Sequence, residues 1–71
     1  MTTAPEVRVL RALSGVARAH RDLDQLALDL EGHPGMVAEE IGAELCFQTR
    51  RIAYVARLCG IGHDDIESAC R

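Results

Sequence analysis

The chain is poor in aromatics: Phe47 and Tyr54 are its only two, and there is no Trp. Lys and Asn are missing altogether, so all eight basic residues are Arg, a bias that matches GC-rich codon usage and implies no mechanism. Two Pro and six Gly in 71 residues exclude collagen-like and Pro-rich sequence. No run reaches the ~18 apolar residues of a membrane span, so no membrane partner is expected. The opening Met1-Thr2-Thr3-Ala4-Pro5-Glu6 is not basic and leads into no apolar region. No signal peptide is therefore expected, and a cytoplasmic location is. Cys46, Cys59 and Cys70 are odd in number and form no close pair, which argues against a disulfide scaffold. What is abundant is apolar and mixed: 48% hydrophobic and 27% charged, too apolar and too balanced for a disordered chain.

Such a chain makes one domain, 1–71. A core below ~70–80 residues rarely supplies more than ~3–5 kcal/mol, so small domains usually gain stability from disulfides, a metal or a partner chain. With the first disfavoured, a partner chain is expected. The net charge of −3 offers no general attraction to nucleic acid, but it is unevenly spread. Residues 1–21 carry +3, residues 22–44 carry −7, residues 45–63 carry +3 and residues 64–71 carry −2.

Hydrophobic spacing is helical throughout, and no strand alternation appears. Thr3 with Glu6 forms a capping-box pattern, and Pro5 falls in the first turn, where its missing N–H costs nothing. Val9, Leu13, Val16, Leu23, Ala27 and Leu30 then recur on one face, with Ala12, Ala19 and Leu26 beside them. Gly32 supplies the stop, giving a helix over about 4–31. Gly15 inside it costs up to ~1 kcal/mol against Ala, which implies a close packing contact there. Gly32-His33-Pro34-Gly35 reads as a short turn joining antiparallel neighbours. A second helix follows over about 36–59, with Ala38, Ile41, Leu45, Ile52, Ala56 and Cys59 on one face and Gln48, Thr49 and Val55 beside it. Gly60 ends it. Asp64, with Glu67 three residues on, is expected to cap a last helix through about 70. The fold class expected is all-α: a long antiparallel hairpin plus a short C-terminal helix, dimerising into a four-helix bundle.

Two surplus features follow. At ~100° per residue, Phe47, Tyr54 and Leu58 fall opposite Leu45 and Ile52, and Met36 and Ala43 extend that line. A hairpin buries one side of each helix, so this second face is expected in a homodimer core or under the last helix, or else against a different protein. Arg50, Arg51, Arg57 and Glu40 would flank it as orienting rim charges. Folding back at 32–35 also sets residue 21 level with about 46. The acidic block then occupies the turn end, and seven Arg gather toward the open end. Two hairpins packed head to tail would match these ends, which predicts an antiparallel homodimer.

Catalytic and metal chemistry find less support. His20 shares the apolar face of the first helix near the level of Cys46, and such a pair could hold a metal or activate a thiolate. A lone His on such a face is more often a hydrogen-bonded core residue, and no third partner is evident. Cys59, His63 and Cys70 echo metal-ligand spacing, but Gly60 and Gly62 keep Cys59 and His63 off a common helix face, whereas structural zinc sites show two close ligand pairs. His20, Cys46 and Cys59 are thus marginal metal candidates, and no cofactor is expected. The carboxylate pairs Glu39-Glu40 and Asp64-Asp65 have no neighbour placed to separate their ionisation. Glu40 and Glu44 lie one turn apart, but the Glu-x-x-His motif of carboxylate bundles is missing. There is no Gly-rich phosphate loop and no nucleophile elbow, so no enzyme activity is expected.

One local motif stands out over residues 52–71. Ala56, then Gly60-Ile61, then Ile66 and Ala69 resemble the helix-turn-helix of small DNA-binding domains, where the small residue lets two helices approach, Gly makes the turn and the Ile positions pack inside. The resemblance covers less than a third of the chain. It would imply a recognition helix that here opens Asp64-Asp65 and adds Glu67, acids where DNA readers carry Arg or Lys. The expected function is therefore a small non-enzymatic protein–protein interaction module, acting with itself and another protein. The alternatives are a DNA-associated regulator and a metal- or thiol-sensing bundle.

Overall fold

A computed structural model describes residues 4–71 of the chain and is all-helical. Three helices follow in order: α1 Pro5–Asp29, α2 His33–Leu58 and α3 His63–Ala69. Helices α1 and α2 pack closely as a hairpin, and α3 folds back on its open end. Among the described residues no helix is long and apolar enough to cross a membrane.

The helix boundaries correct several expectations. Thr3, the expected cap of α1, lies outside the described residues. Ala4 precedes Pro5 and caps with no side chain; its carbonyl instead accepts from the N–H groups of Val7 (3.1 Å) and Arg8 (3.2 Å). Helix α1 stops at Asp29, because Leu30 is already extended (φ −98°, ψ 138°). Gly32, read as the stop of the first helix, is the residue before α2 and holds φ +70°. The expected turn 32–35 is thus mostly helix. Pro34 falls in the first turn of α2, where its fixed φ suits a helix start.

At the other end Gly60 does what its position implies. It takes φ +83°, its N–H donates to Arg57 O (3.0 Å) and the N–H of Ile61 donates to Ala56 O (3.1 Å). This double bond is the Schellman closure, and it places Ile61 against Ala56 as that closure usually does. The chain reaches Gly62 in extended geometry, so α3 starts at His63 and not after a cap at Asp64. Asp64 and Asp65 then sit inside the first turn, where carboxylates favour the helix dipole. Glu67 makes ion pairs with His63 (3.6 Å) and Arg71 (3.7 Å) and closes no capping box.

The hairpin register is as expected: Gly42 of α2 lies against Leu23 and Asp24 of α1, and Gly35 against Leu30 and Ala27. The phase of the contact is as expected only in part. On α2 the residues that meet α1 are Gly35, Ala38, Gly42 and Ala56, all buried, with Leu45, Thr49 and Ile52 half-buried between them. These follow the 3-4 spacing of a packed helical seam. Ile41 and Cys59, expected on that face, are exposed. On α1 the seam runs through Leu13 and Ala17, both buried, with Leu10, His20 and Ala27 half-buried along it and Val9, Val16, Ala19 and Leu23 half-buried at its edge. Ala12, Leu26 and Leu30 are turned out. The physical reason is distance. Toward the turn, Gly35, Ala38 and Gly42 let the two backbones approach closely, so small residues take the seam there and Ile41 is rotated aside. Thr49 is tolerated there because its hydroxyl donates to Leu45 O (2.7 Å) within the helix. Gly15, where a close contact was expected, has nothing within 4 Å of a notional Cβ; the close approaches are at Gly35 and Gly42.

Leu13, Ala56 and Ile66 form the buried cluster that joins all three helices, and Val9, Ile52, Ala53, Ile61 and Ala69 pack on it. The residues of the helix-turn-helix pattern therefore build the core of the open end. Arg21 of α1 ties α3 down by donating to the carbonyls of Cys70 (2.6 Å) and Arg71 (3.1 Å).

Candidate interaction surface

The structure leaves the surplus face of α2 open. Phe47, Tyr54 and Leu58 are 58%, 57% and 68% exposed, and Met36 and Ala43 continue their line toward the turn, also exposed. Their position follows from helix geometry: the seam is centred near Ala38, Gly42 and Ala56, and this stripe lies about half a turn away on the outer side of α2. A shallow depression runs across the helix beside it, lined by Gln48, Arg51, Ile52, Tyr54, Val55 and Leu58, with Arg50 at its edge. The Arg51 guanidinium lies 5.8 Å from the centre of the Phe47 ring, a cation–π arrangement. None of Arg50, Arg51 and Arg57 forms an ion pair among the described residues. Their charge remains available at the margin of the stripe, as do those of Glu39, Glu40 and Glu44 nearer the turn.

The metal candidates are placed differently. His20 is half-buried and its Nε2 stands 3.3 Å from Asp24 Oδ2, one turn on along the same helix. Cys46 and Cys70 are half-buried thiols and Cys59 an exposed one; none is bridged. Among the described residues no three His, Cys, Asp or Glu side chains converge on a point that a metal could occupy. The acidic residues of α3 do not approach the Arg side chains of α2 within ion-pair distance, and Glu67 turns to His63 and Arg71.

A second set of exposed apolar residues was not foreseen as a surface. Leu26 of α1 and Val37, Ile41 and Val55 of α2 lie beside the seam and open to solvent. The signal was present in the sequence. Each precedes a seam residue by one position (26 before 27, 37 before 38, 41 before 42, 55 before 56), so the same 3-4 spacing runs twice along each helix, one residue out of phase. No protein-family model matches the chain, and neither a curated protein nor a solved structure matches it.

Proposed function

We propose that this chain is a small non-enzymatic protein–protein interaction module, a regulatory, adaptor or assembly subunit that works as a homo-oligomer. The observation that carries this reading is the imbalance between core and surface. Among the described residues the buried hydrophobics are Leu13, Ala17, Ala38, Ala56 and Ile66, three of them alanine, whereas eleven large hydrophobics are exposed. Exposed contiguous apolar surface on this scale marks interaction sites. The stripe of Phe47, Tyr54 and Leu58, with Met36 and Ala43, supplies aromatic anchors of the kind that dominate interfaces, and Arg51 adds a third favoured residue type. Arg50 and Arg57 would orient the partner, since rim charges act on encounter and register more than on affinity.

The test is the concentration dependence of stability. If folding is coupled to association, Tm must rise with protein concentration. Thermal unfolding followed by circular dichroism across a hundredfold range, with light scattering at each concentration, should show that rise and a mass above the monomer. A folded monomer whose Tm does not move over that range would overturn the reading.

A further inference from the structure

The geometry points to a second copy of this chain docked, antiparallel, on the lateral face of the hairpin, leaving the Phe47–Tyr54–Leu58 stripe for a different protein. This rests on the homo-oligomer reading and assigns its interface.

The argument begins with handedness. The apolar line beside the seam precedes the seam by one residue on α1 (Val16 before Ala17, Leu23 before Asp24, Leu26 before Ala27). It does the same on α2 (Ile41 before Gly42, Gln48 before Thr49, Val55 before Ala56). In two antiparallel right-handed helices, a step of about −100° from the shared seam leads to the same side of the hairpin plane on both. The two lines therefore make one face, apolar along α1 and, along α2, apolar at Val37, Ile41 and Val55 with Glu44, Gln48 and Arg51 between them. The opposite side is the one α3 covers: Arg21, one residue after the seam residue His20, binds the carbonyls of Cys70 and Arg71, and Ala53, one after Ile52, packs on the Leu13–Ala56–Ile66 cluster. The lateral face has no such cover, and Leu26, Ile41 and Val55 are 40–44% exposed on it.

Three features select a second copy and its direction. The first is shape. On α1 the lateral line runs Val9, Ala12, Val16, Ala19, Leu23 and Leu26, with its two alanines on the open-end side and its two leucines toward the turn. Antiparallel stacking about an axis at Ala19 lays Leu26 over the partner's Ala12, whereas parallel stacking sets bulk on bulk. The second is the sequence symmetry of α2 about Gln48. Ile41 and Val55 are equally far from it on either side, as are Val37 and Cys59. An antiparallel α2 pair turning on Gln48 thus matches apolar with apolar and puts the single amide of the line against itself, where two carboxamides can bond to each other. Gln48 and Ala19 lie at nearly the same level of the hairpin, as the contact of Gly42 with Asp24 fixes. One two-fold axis can therefore pass by both. The third is charge. Glu44 falls beside the partner's Arg51, while the parallel arrangement would set the −7 segments together. The outline of the broad face, 44 × 25 Å, exceeds the ~800 Å² per partner of a stable interface. The outer stripe belongs to α2 alone, diametrically away from α1, so pairing through it would give a four-helix row and not a bundle.

The test compares faces in the full chain. Ile41→Glu with Val55→Glu should weaken self-association on the order of 100-fold or more, because it buries the carboxylate at 41 against the partner's carboxylate at 55. Phe47→Glu with Tyr54→Glu should leave the dimer intact by sedimentation. Because the first pair can unfold the chain, cysteine trapping decides independently. With Cys46, Cys59 and Cys70 replaced by Ser, Gln48→Cys should cross-link to its own copy under mild oxidation, and Val37→Cys and Tyr54→Cys should not. Trapping through Tyr54→Cys, or through Val37→Cys, in place of Gln48→Cys would overturn the assigned face or direction while the homo-oligomer reading stood. A wild-type chain that stays monomeric would overturn both.

Discussion

Replacing Gly35 with alanine probes the closest approach in the molecule. A Cβ there would meet the carbonyl of Leu30, with its carbon at 3.2 Å, its oxygen closer still, and the Ala27 carbonyl oxygen at 3.4 Å. These are backbone atoms, so no flexible side chain can move aside. Relief requires either parting α1 from α2 or rebuilding the three-residue connection 30–32. Overpacking of this kind costs about 1–3 kcal/mol. Helix propensity returns at most about 1 kcal/mol, and less in the first turn. The net loss of about 1–2 kcal/mol should lower Tm by roughly 5–15 °C in a domain of this size. Two other glycines calibrate the result. Gly15→Ala meets nothing within 4 Å and should gain up to about 1 kcal/mol. Gly42→Ala would place a methyl 3.0 Å from Asp24 Oδ1, a carboxylate free to rotate if it gives up His20, and should fall between the two. Thermal unfolding at one fixed protein concentration ranks the three, because association itself shifts apparent stability. If Gly35→Ala proved as stable as Gly15→Ala, the close approach of Leu30 to α2 would be refuted.

Other outcomes follow from the same contacts. Leu13 is fully buried at the junction of all three helices, so Leu13→Ala should cost about 2–5 kcal/mol and leave the chain largely unfolded by circular dichroism. Gly60→Ala forces an L side chain into φ +83° and should cost about 1–2 kcal/mol in denaturant titrations with the slope unchanged. Arg21→Ala removes both side-chain hydrogen bonds to the end of α3; amide exchange should accelerate at Ile66 and Cys70 and stay unchanged in the middle of α2. Because α3 opens with Asp64 and Asp65, random duplex DNA should give no binding isotherm at about 50 mM salt, and a salt-dependent isotherm there would revive the DNA-associated alternative.

The number of helices, the hairpin, its register and the stop at Gly60 were legible in the sequence because each rests on a local signal: period, Gly or Pro placement, or a short connection. The outward position of Phe47, Tyr54 and Leu58 was legible too, as the far side of the helix from Ile52. The phase of the α1–α2 seam was legible only in part: Leu13, Ala27, Ala38, Leu45, Ile52 and Ala56 fall on it as expected, and Leu30, Ile41 and Cys59 do not. Hydropathy weights Ile41 and Leu30 above Gly42 and Ala17, whereas packing rewards the pair of backbones that can come closest, and that preference belongs to the two helices jointly. The lateral face was hidden for the same reason: hydropathy assigns Val16, Leu23 and Ile41 to the seam and leaves Leu26, Gln48 and Val55 as its flank. The caps misled by one or two residues because Asp64 has the chemistry of an N-cap, yet the Schellman closure at Gly60–Ile61 had already set where α3 begins.

That closure and the three-residue connection also bear on how the chain folds. The first contacts between α1 and α2 close a very short loop at Leu30–Gly32, a step on the tens-of-nanoseconds scale. Yet the turn end is lined by glycine and alanine, and the Leu13–Ala56–Ile66 cluster lies at the other end of the hairpin. Zipping thus starts where loop closure is fastest and meets its main apolar reward only when α3 arrives. A half-zipped hairpin has little to hold it, and the unimolecular phase of folding, before association, should appear as a single fast exponential in which α3 docks together with the final turns of α1 and α2.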